Sequence, residues 1–227
     1  EYFDGRVTDD LAVLYDFQTG SGTKVNDVSG VGNPSDLSIE TPELAVWTDH
    51  GLFANEGTII RSDTTNTNLL PVFESSDEIT IETWIKPSIE NSERIAKIFT
   101  FSVSSTYRNF VLQQNGSQYE VFLRRVGELE GGPAVTSPVG SVNSELTHVA
   151  FTRASDGTAK LYLNGNEVSS ANLPGDIDFS DSHRLALANE IWGGYSWKGA
   201  YYLAALYSRA LSQSEISNNY SEGVTVD

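Results

Sequence analysis

The chain has 227 residues and carries 14 Lys and Arg against 31 Asp and Glu, a formal net charge of −17. That sign disfavours nucleic acid and anionic membranes, which are held through clustered Lys and Arg. With 39% hydrophobic and 11% aromatic residues the chain can bury a core, so global disorder is excluded, while the lack of cysteine rules out disulfides, thiolate metal sites and a cysteine nucleophile.

A first strand is expected over Leu11–Phe17. The stretch Asn33–Glu78, with its polar Thr and Asn around Asp63–Asn68, reads as a long loop of the kind that is often functional. Strands then follow at Ile79–Lys86, Lys97–Val103, Asn109–Gln113, Tyr119–Val126, Thr147–Arg153, Ala159–Leu163, Arg184–Ala188 and Tyr201–Ser208. Short apolar segments between Gly, Asn, Ser and Asp clusters signal an antiparallel β-sandwich. Asn115-Gly116 and Asn164-Gly165 predict two type I′ hairpins. In Ile79–Lys86 alternation sends Ile79, Ile81 and Ile85 to the core and Thr80, Glu82, Trp84 and Lys86 outward. Tyr119, Val121 and Leu123 likewise oppose Glu120, Phe122 and Arg124. Such an outward mixture of aromatics and charges suits a second layer or a ligand better than bare solvent. One helix is predicted near the end, where Ser212 and Glu215 form a capping box and Ile216 and Tyr220 an i,i+4 pair; it is expected to plug one edge of the sandwich. No apolar run approaches the ~20 residues of a membrane helix, so membrane insertion is not expected.

Several segments, taken in order, resemble the laminin-G-like, concanavalin A-like lectin and glucanase domains of bacterial extracellular proteins. They are Leu14-Tyr15-Asp16-Phe17, Asp27-Val28-Ser29-Gly30, Ile79 through Pro87, His148 through Arg153, Leu161-Tyr162-Leu163-Asn164-Gly165 and Ala205 through Ser212. The resemblance implies an all-β fold: an antiparallel two-sheet sandwich with jelly-roll topology and one short C-terminal helix, a single domain over residues 1–227 with its core at about 10–220. It also implies a secreted or cell-surface setting, as one module of a larger multidomain protein.

The family often carries a structural calcium near the start of the domain. Asp16, Asp27 and Asn33 lie in a Gly-rich segment able to offer side-chain and carbonyl oxygens to such an ion. Relatives often have an acidic residue where this chain has Leu203-Ala204-Ala205. The alternative is that Asp16 and Asp27 make turn and cap hydrogen bonds. A second acidic loop, with Asp176, Asp178 and Asp181, lacks the central Gly and final Glu of an EF-hand and reads as a solvated loop.

For ligand binding, the segment Asn189 through Trp197 stands out. Sugars present apolar C–H faces between hydroxyls, and flat rings beside amide, carboxylate and guanidinium groups match them. Trp192 and Tyr195 are the expected rings, with Asn189, Glu190 and Arg184 as polar partners, and Trp197 is assigned to packing. Tyr107, Arg108 and Asn109 form a similar set on another turn, joined by Arg124 and Arg125. Glu78 and Glu82 are the nearest approach to a glycanase carboxylate pair, but Thr80 stands where a third carboxylate would tune them. No nucleophile elbow, Walker loop, dinucleotide fingerprint or zinc helix is found. The expectation is a non-catalytic carbohydrate-binding module, a lectin-like domain with a polysaccharide as partner. A structural or adhesion/protein-interaction domain is the alternative, and a glycoside hydrolase or polysaccharide lyase a more distant one.

Overall fold

The computed structural model describes residues 5–88, 94–128, 135–179 and 182–226. Alternating side chains divide the strands between two antiparallel sheets. The first runs, in spatial order, Asn166–Asn172, Thr158–Leu163, Thr147–Arg153, Ile79–Pro87, Gly199–Tyr207, Leu52–Ala54 and Ala45–Trp47, and Leu11–Tyr15 pairs with the end of Gly199–Tyr207. The second runs Val135–Thr136, Gln118–Leu123, Arg108–Asn115, Ile95–Ser102, Arg184–Leu187, Ile60–Arg61, Leu37–Ile39 and Lys24–Val25. Ile79, Ile81, Ile85, Val149 and Phe151 of the first sheet meet Phe99, Phe101, Phe110, Val121 and Leu123 of the second in one apolar core. This is a concanavalin A-like sandwich, as the strand pattern predicts.

Asn33–Glu78 is not a loop. It supplies four short strands, Leu37–Ile39, Ala45–Trp47, Leu52–Ala54 and Ile60–Arg61, and a helix at Leu70–Ser76 with a proline in its first turn. Strands of two or three residues are too short to show a period, so tertiary pairing alone defines them. The polar run is anchored by Asn66, whose side-chain oxygen accepts from Ser62 Oγ at 2.7 Å and from the Leu185 N–H at 3.0 Å. The two Asn-Gly turns also differ. Asn164 and Gly165 both have positive φ, +49° and +76°, between paired Leu163 and Asn166, as a type I′ turn requires. Asn115 instead pairs with Gln118, so Gly116 (φ +57°) is the first central residue and Ser117 is not left-handed. That pattern is type II′.

The outward face of Ile79–Pro87 is covered by a third layer. The helix Gln213–Glu222 begins at the expected capping box, with Ser212 Oγ accepting from the Glu215 N–H and the Glu215 carboxylate accepting from the Ser212 N–H. It lies across the sheet face rather than plugging an edge. Ile216 is buried with Leu11, Leu14, Trp84, Tyr162 and Tyr207, and the Tyr220 ring stacks on Trp84 at 5.6 Å and 9°. Burying a side chain such as Ile216 contributes roughly 1.5–3 kcal/mol.

Beneath this layer sits a fully buried carboxylate. Glu82 accepts from Arg6, from His148 Nε2 at 2.9 Å and from Asn219 Nδ2 at 2.9 Å. Asn219 Oδ1 in turn accepts from the Val7 N–H at 2.9 Å, and Tyr207 Oη donates to the Val7 carbonyl. One side chain thereby joins the N-terminal segment, the C-terminal helix and the central strand. Burial alone would raise the Glu82 pKa, but the Arg6 guanidinium and then His148 bring it down to about 2. A carboxyl held below its ordinary value stabilises the fold above that value, and the contribution is lost as pH falls through about 2. Glu82→Gln is expected to lower stability at pH 7 by about 3 kcal/mol. It should also flatten the pH dependence of urea unfolding between about pH 4.5 and 2 relative to wild type. Equal slopes in the two proteins would contradict this.

Candidate functional site on the outer face of the second sheet

The outer face of the second sheet is reached from Ile95–Ser102. A register shift between Lys97 and Phe99 turns both Ile98 and Phe99 into the core and leaves Lys97 on the outside. Lys97 is nevertheless buried, because the segment after Arg184–Leu187 folds back over it. Glu190 pairs with Lys97 Nζ at 2.6 Å, accepts from Ser102 Oγ and accepts from the Ile191 N–H at 3.0 Å. Burial lowers the Lys97 pKa, and Glu190 opposes that shift. Asn189 closes the turn: its Oδ1 accepts from the N–H groups of Glu190 (3.0 Å) and Tyr195 (2.9 Å), and its Nδ2 donates to the Thr58 carbonyl. Gly193 and Gly194, at φ +83° and +95°, take backbone angles that a larger residue adopts only with strain.

This scaffold presents rings. Trp192 is 68% exposed, and its Nε1 donates to the Val103 carbonyl at 3.0 Å, joining its loop to the neighbouring turn before Arg108. Tyr107 on that turn is 41% exposed and Tyr195 is 37% exposed. Each lies against a cation: Arg61 is 4.9 Å from the Trp192 ring centre, Lys97 4.6 Å from Tyr195 and Arg124 3.9 Å from Tyr107. His183 stacks on Tyr107 at 5.4 Å, and Arg108 covers Phe122 at 4.6 Å. Contacts of this kind contribute ~0.5–2 kcal/mol each and fix the rings in place.

The structure thus brings Trp192, Tyr195, Tyr107 and Arg108 to one face, while Arg124 is corrected: it is buried beneath the Tyr107 ring and paired with Asp178. Asn189 and Glu190 are corrected: both are buried and hold the loop's backbone, because their polar atoms are taken by Thr58, Lys97 and Ser102. Arg184 donates to the Ser62 carbonyl, Asn109 donates to the Asp178 carbonyl, and Arg125 pairs with Glu128. Trp197 is fully buried and donates to Gln114, as expected for a packing residue. Sequence reasoning missed Arg61, hidden in a two-residue strand, and Lys97. A lysine within the apolar run Ile95 to Phe101 was the available signal for Lys97.

The other expected sites lie elsewhere. Asp27 accepts from the N–H groups of Leu14 (3.1 Å), Ser29 (3.0 Å) and Ser35 (2.9 Å), and Asp16 accepts from that of Gln18. The Asn33 carbonyl accepts from Asn68. Asp16 and Asp27 thus make turn and cap hydrogen bonds, and among the described residues no three His, Asp or Glu side chains come together. Asp178 pairs with Arg124, and Asp181 lies outside the described residues. Glu78 accepts from Ser155 and from the Ala210 N–H, Thr80 Oγ1 donates to the Arg209 carbonyl, and Glu82 is roofed over. All three hold structure together.

A concanavalin A-like sandwich with an aromatic and cationic outer face is thus the class of protein described. A family model of the concanavalin A-like lectin/glucanases superfamily matches residues 61–217, more than half of the chain, and the chain belongs to that superfamily. Among curated proteins none matches. Similar solved structures include the receptor-binding domain of a botulinum neurotoxin C/D mosaic serotype, at TM-score 0.68 and 14% identity over 96% of this chain and 52% of that one. The botulinum neurotoxin serotype D ligand-binding domain, solved with N-acetylneuraminic acid, is similar at 0.67 and 13% over 98% and 53%. A Trypanosoma rangeli sialidase solved with sialic acid is similar at 0.67 and 15% over 94% and 33%. The chain spans about half of the toxin domains and a third of the sialidase, and at these identities the likeness concerns the fold alone.

Two outcomes follow. Lys97→Ala leaves the Glu190 carboxylate buried and unpaired, and is expected to destabilise the fold by about 3 kcal/mol and to speed amide exchange over residues 189–195 more than in the core strands. Uniform exchange would show that the pair does not hold the loop. Asp27→Ala should cost about 2 kcal/mol in urea unfolding, equally with calcium and with EDTA. A cost that disappears in EDTA would mean that the carboxylate serves an ion.

Proposed function

We propose that this chain is a glycan-binding module, and that it binds sugar through Trp192, Tyr195 and Tyr107 on the outer face of the second sheet. The observation that carries this reading is the convergence of three exposed rings, each backed by a cation, on one face of a lectin-like sandwich. The rings offer stacking surface to C–H faces, and Arg108 with the hydroxyls of Ser104 and Ser105 supplies polar groups at the rim. Sialic acid bound by structurally similar proteins makes sialylated glycans the first candidates. The module acts without catalysis, a reading supported by the engagement of Glu78 and Glu82 in structural contacts. Working outside the cell as part of a larger protein, it would hold that protein near a glycan surface and raise effective concentration.

An open face buries few ligand atoms, so affinity is expected in about the micromolar to millimolar range. On a glycan array followed by affinity electrophoresis, Trp192→Ala and Tyr195→Ala should each weaken retention about tenfold while lowering the melting temperature by only about 2–8 °C, so that the chain stays folded. Retention that survives both substitutions would overturn the assignment of the site. Release of reducing ends or unsaturated products from a retained glycan would overturn the non-catalytic reading.

A further inference from the structure

The layer over the first sheet stops short of one end. Beyond Trp84, cross-strand register aligns Lys86, Ala200 and Phe53 in one row across the sheet. Ala200 is the smallest of the three, and its short side chain leaves a groove of about 390 Å³ between its neighbours. Phe53 and Tyr202 provide apolar walls, while Thr48, Ser144 and Lys86 stand at the rim. The volume falls in the lower part of the range of about 300–1,000 Å³ found for small-molecule sites.

Two polar features single the groove out. Lys86 is exposed and makes no ion pair among the described residues, although the chain has 31 acidic residues to 14 basic ones. Thr48 Oγ1 is buried beside the groove with no hydrogen-bond partner among the described residues. Aromatic walls, hydroxyls and one unneutralised ammonium together match a sugar ring that carries a carboxylate.

We propose that this groove is a second saccharide site, selective for a uronic acid residue. The ring's C–H face packs on Phe53 and Tyr202, Thr48 and Ser144 meet hydroxyls, and Lys86 meets the carboxylate. The site lies on the opposite sheet from Trp192 and does not depend on that face. With both occupied, one module bridges two glycan segments and gains avidity from their linkage.

The test is a ¹H–¹⁵N NMR titration of the whole chain with glucuronic acid, with glucose as the neutral counterpart. Glucuronic acid should give saturating shifts at the amides of Phe53, Lys86, Ala200 and Tyr202 in the millimolar range, with glucose at least tenfold weaker. Lys86→Glu, at an exposed position, should weaken glucuronic acid at least tenfold. Ala200→Phe should abolish its binding by filling the groove. Trp192→Ala should leave these shifts unchanged. Absence of saturating shifts at these four amides, equal response to glucose, or indifference to Lys86→Glu would each overturn the proposal, whatever happens at the Trp192 face.

Discussion

A β-sandwich has two outward faces, and in this protein one buried carboxylate decides how they are used. Glu82 draws Arg6 from the N-terminal segment and Asn219 from the C-terminal helix onto the middle of the first sheet. A charge in that position is tolerable only because Arg6, His148 and Asn219 all meet it. The helix brings Ile216 and Tyr220 with it, so most of that face becomes interior. Among the described residues no such helix covers the second sheet, and its outer face is where the exposed rings gather.

The same logic of a buried pair recurs on that second face at smaller scale. Glu190 reaches back to Lys97 and Ser102, and Asn189 holds the turn's N–H groups, so the loop that carries Trp192 and Tyr195 is built on polar contacts hidden beneath it. Rings held in place lose little freedom on binding, which favours recognition of a ligand as weakly adhesive as a sugar. The polar groups nearest to the rings in sequence therefore serve the scaffold, and the cations that touch the rings come from other parts of the chain, Arg61 and Lys97 from strands and Arg124 from just after one.

Much of the fold was legible because period-two alternation survives wherever a strand is long. Ile79, Ile81 and Ile85, and Tyr119, Val121 and Leu123, point to the core as their spacing implies, and Ser212 with Glu215 marks the helix start. Legibility fails where one local signal supports two outcomes. Asn115-Gly116 suits a I′ turn, but strand pairing places Asn115 in the ladder and moves the turn by one residue. The bulge after Lys97 breaks alternation, so a lysine within an apolar run ends on the outside. Asn189 and Glu190 look like ligand groups because their type and neighbours suit a sugar, yet burial is a tertiary property that residue type does not encode. The short strands between Asn33 and Glu78, with Arg61 among them, exist only because neighbouring strands complete their hydrogen bonds.

Glycan bound, as proposed, on the ring-bearing face of the second sheet would cover the two loops that carry the rings. Hydrogen–deuterium exchange of the whole chain, with and without a saturating glycan that it retains, reads that cover loop by loop. Slowed exchange is expected at residues 103–108 and 189–195, with little change across Gln213–Glu222. Protection confined to the helix and terminal segments, or none in the two loops, would place the glycan elsewhere.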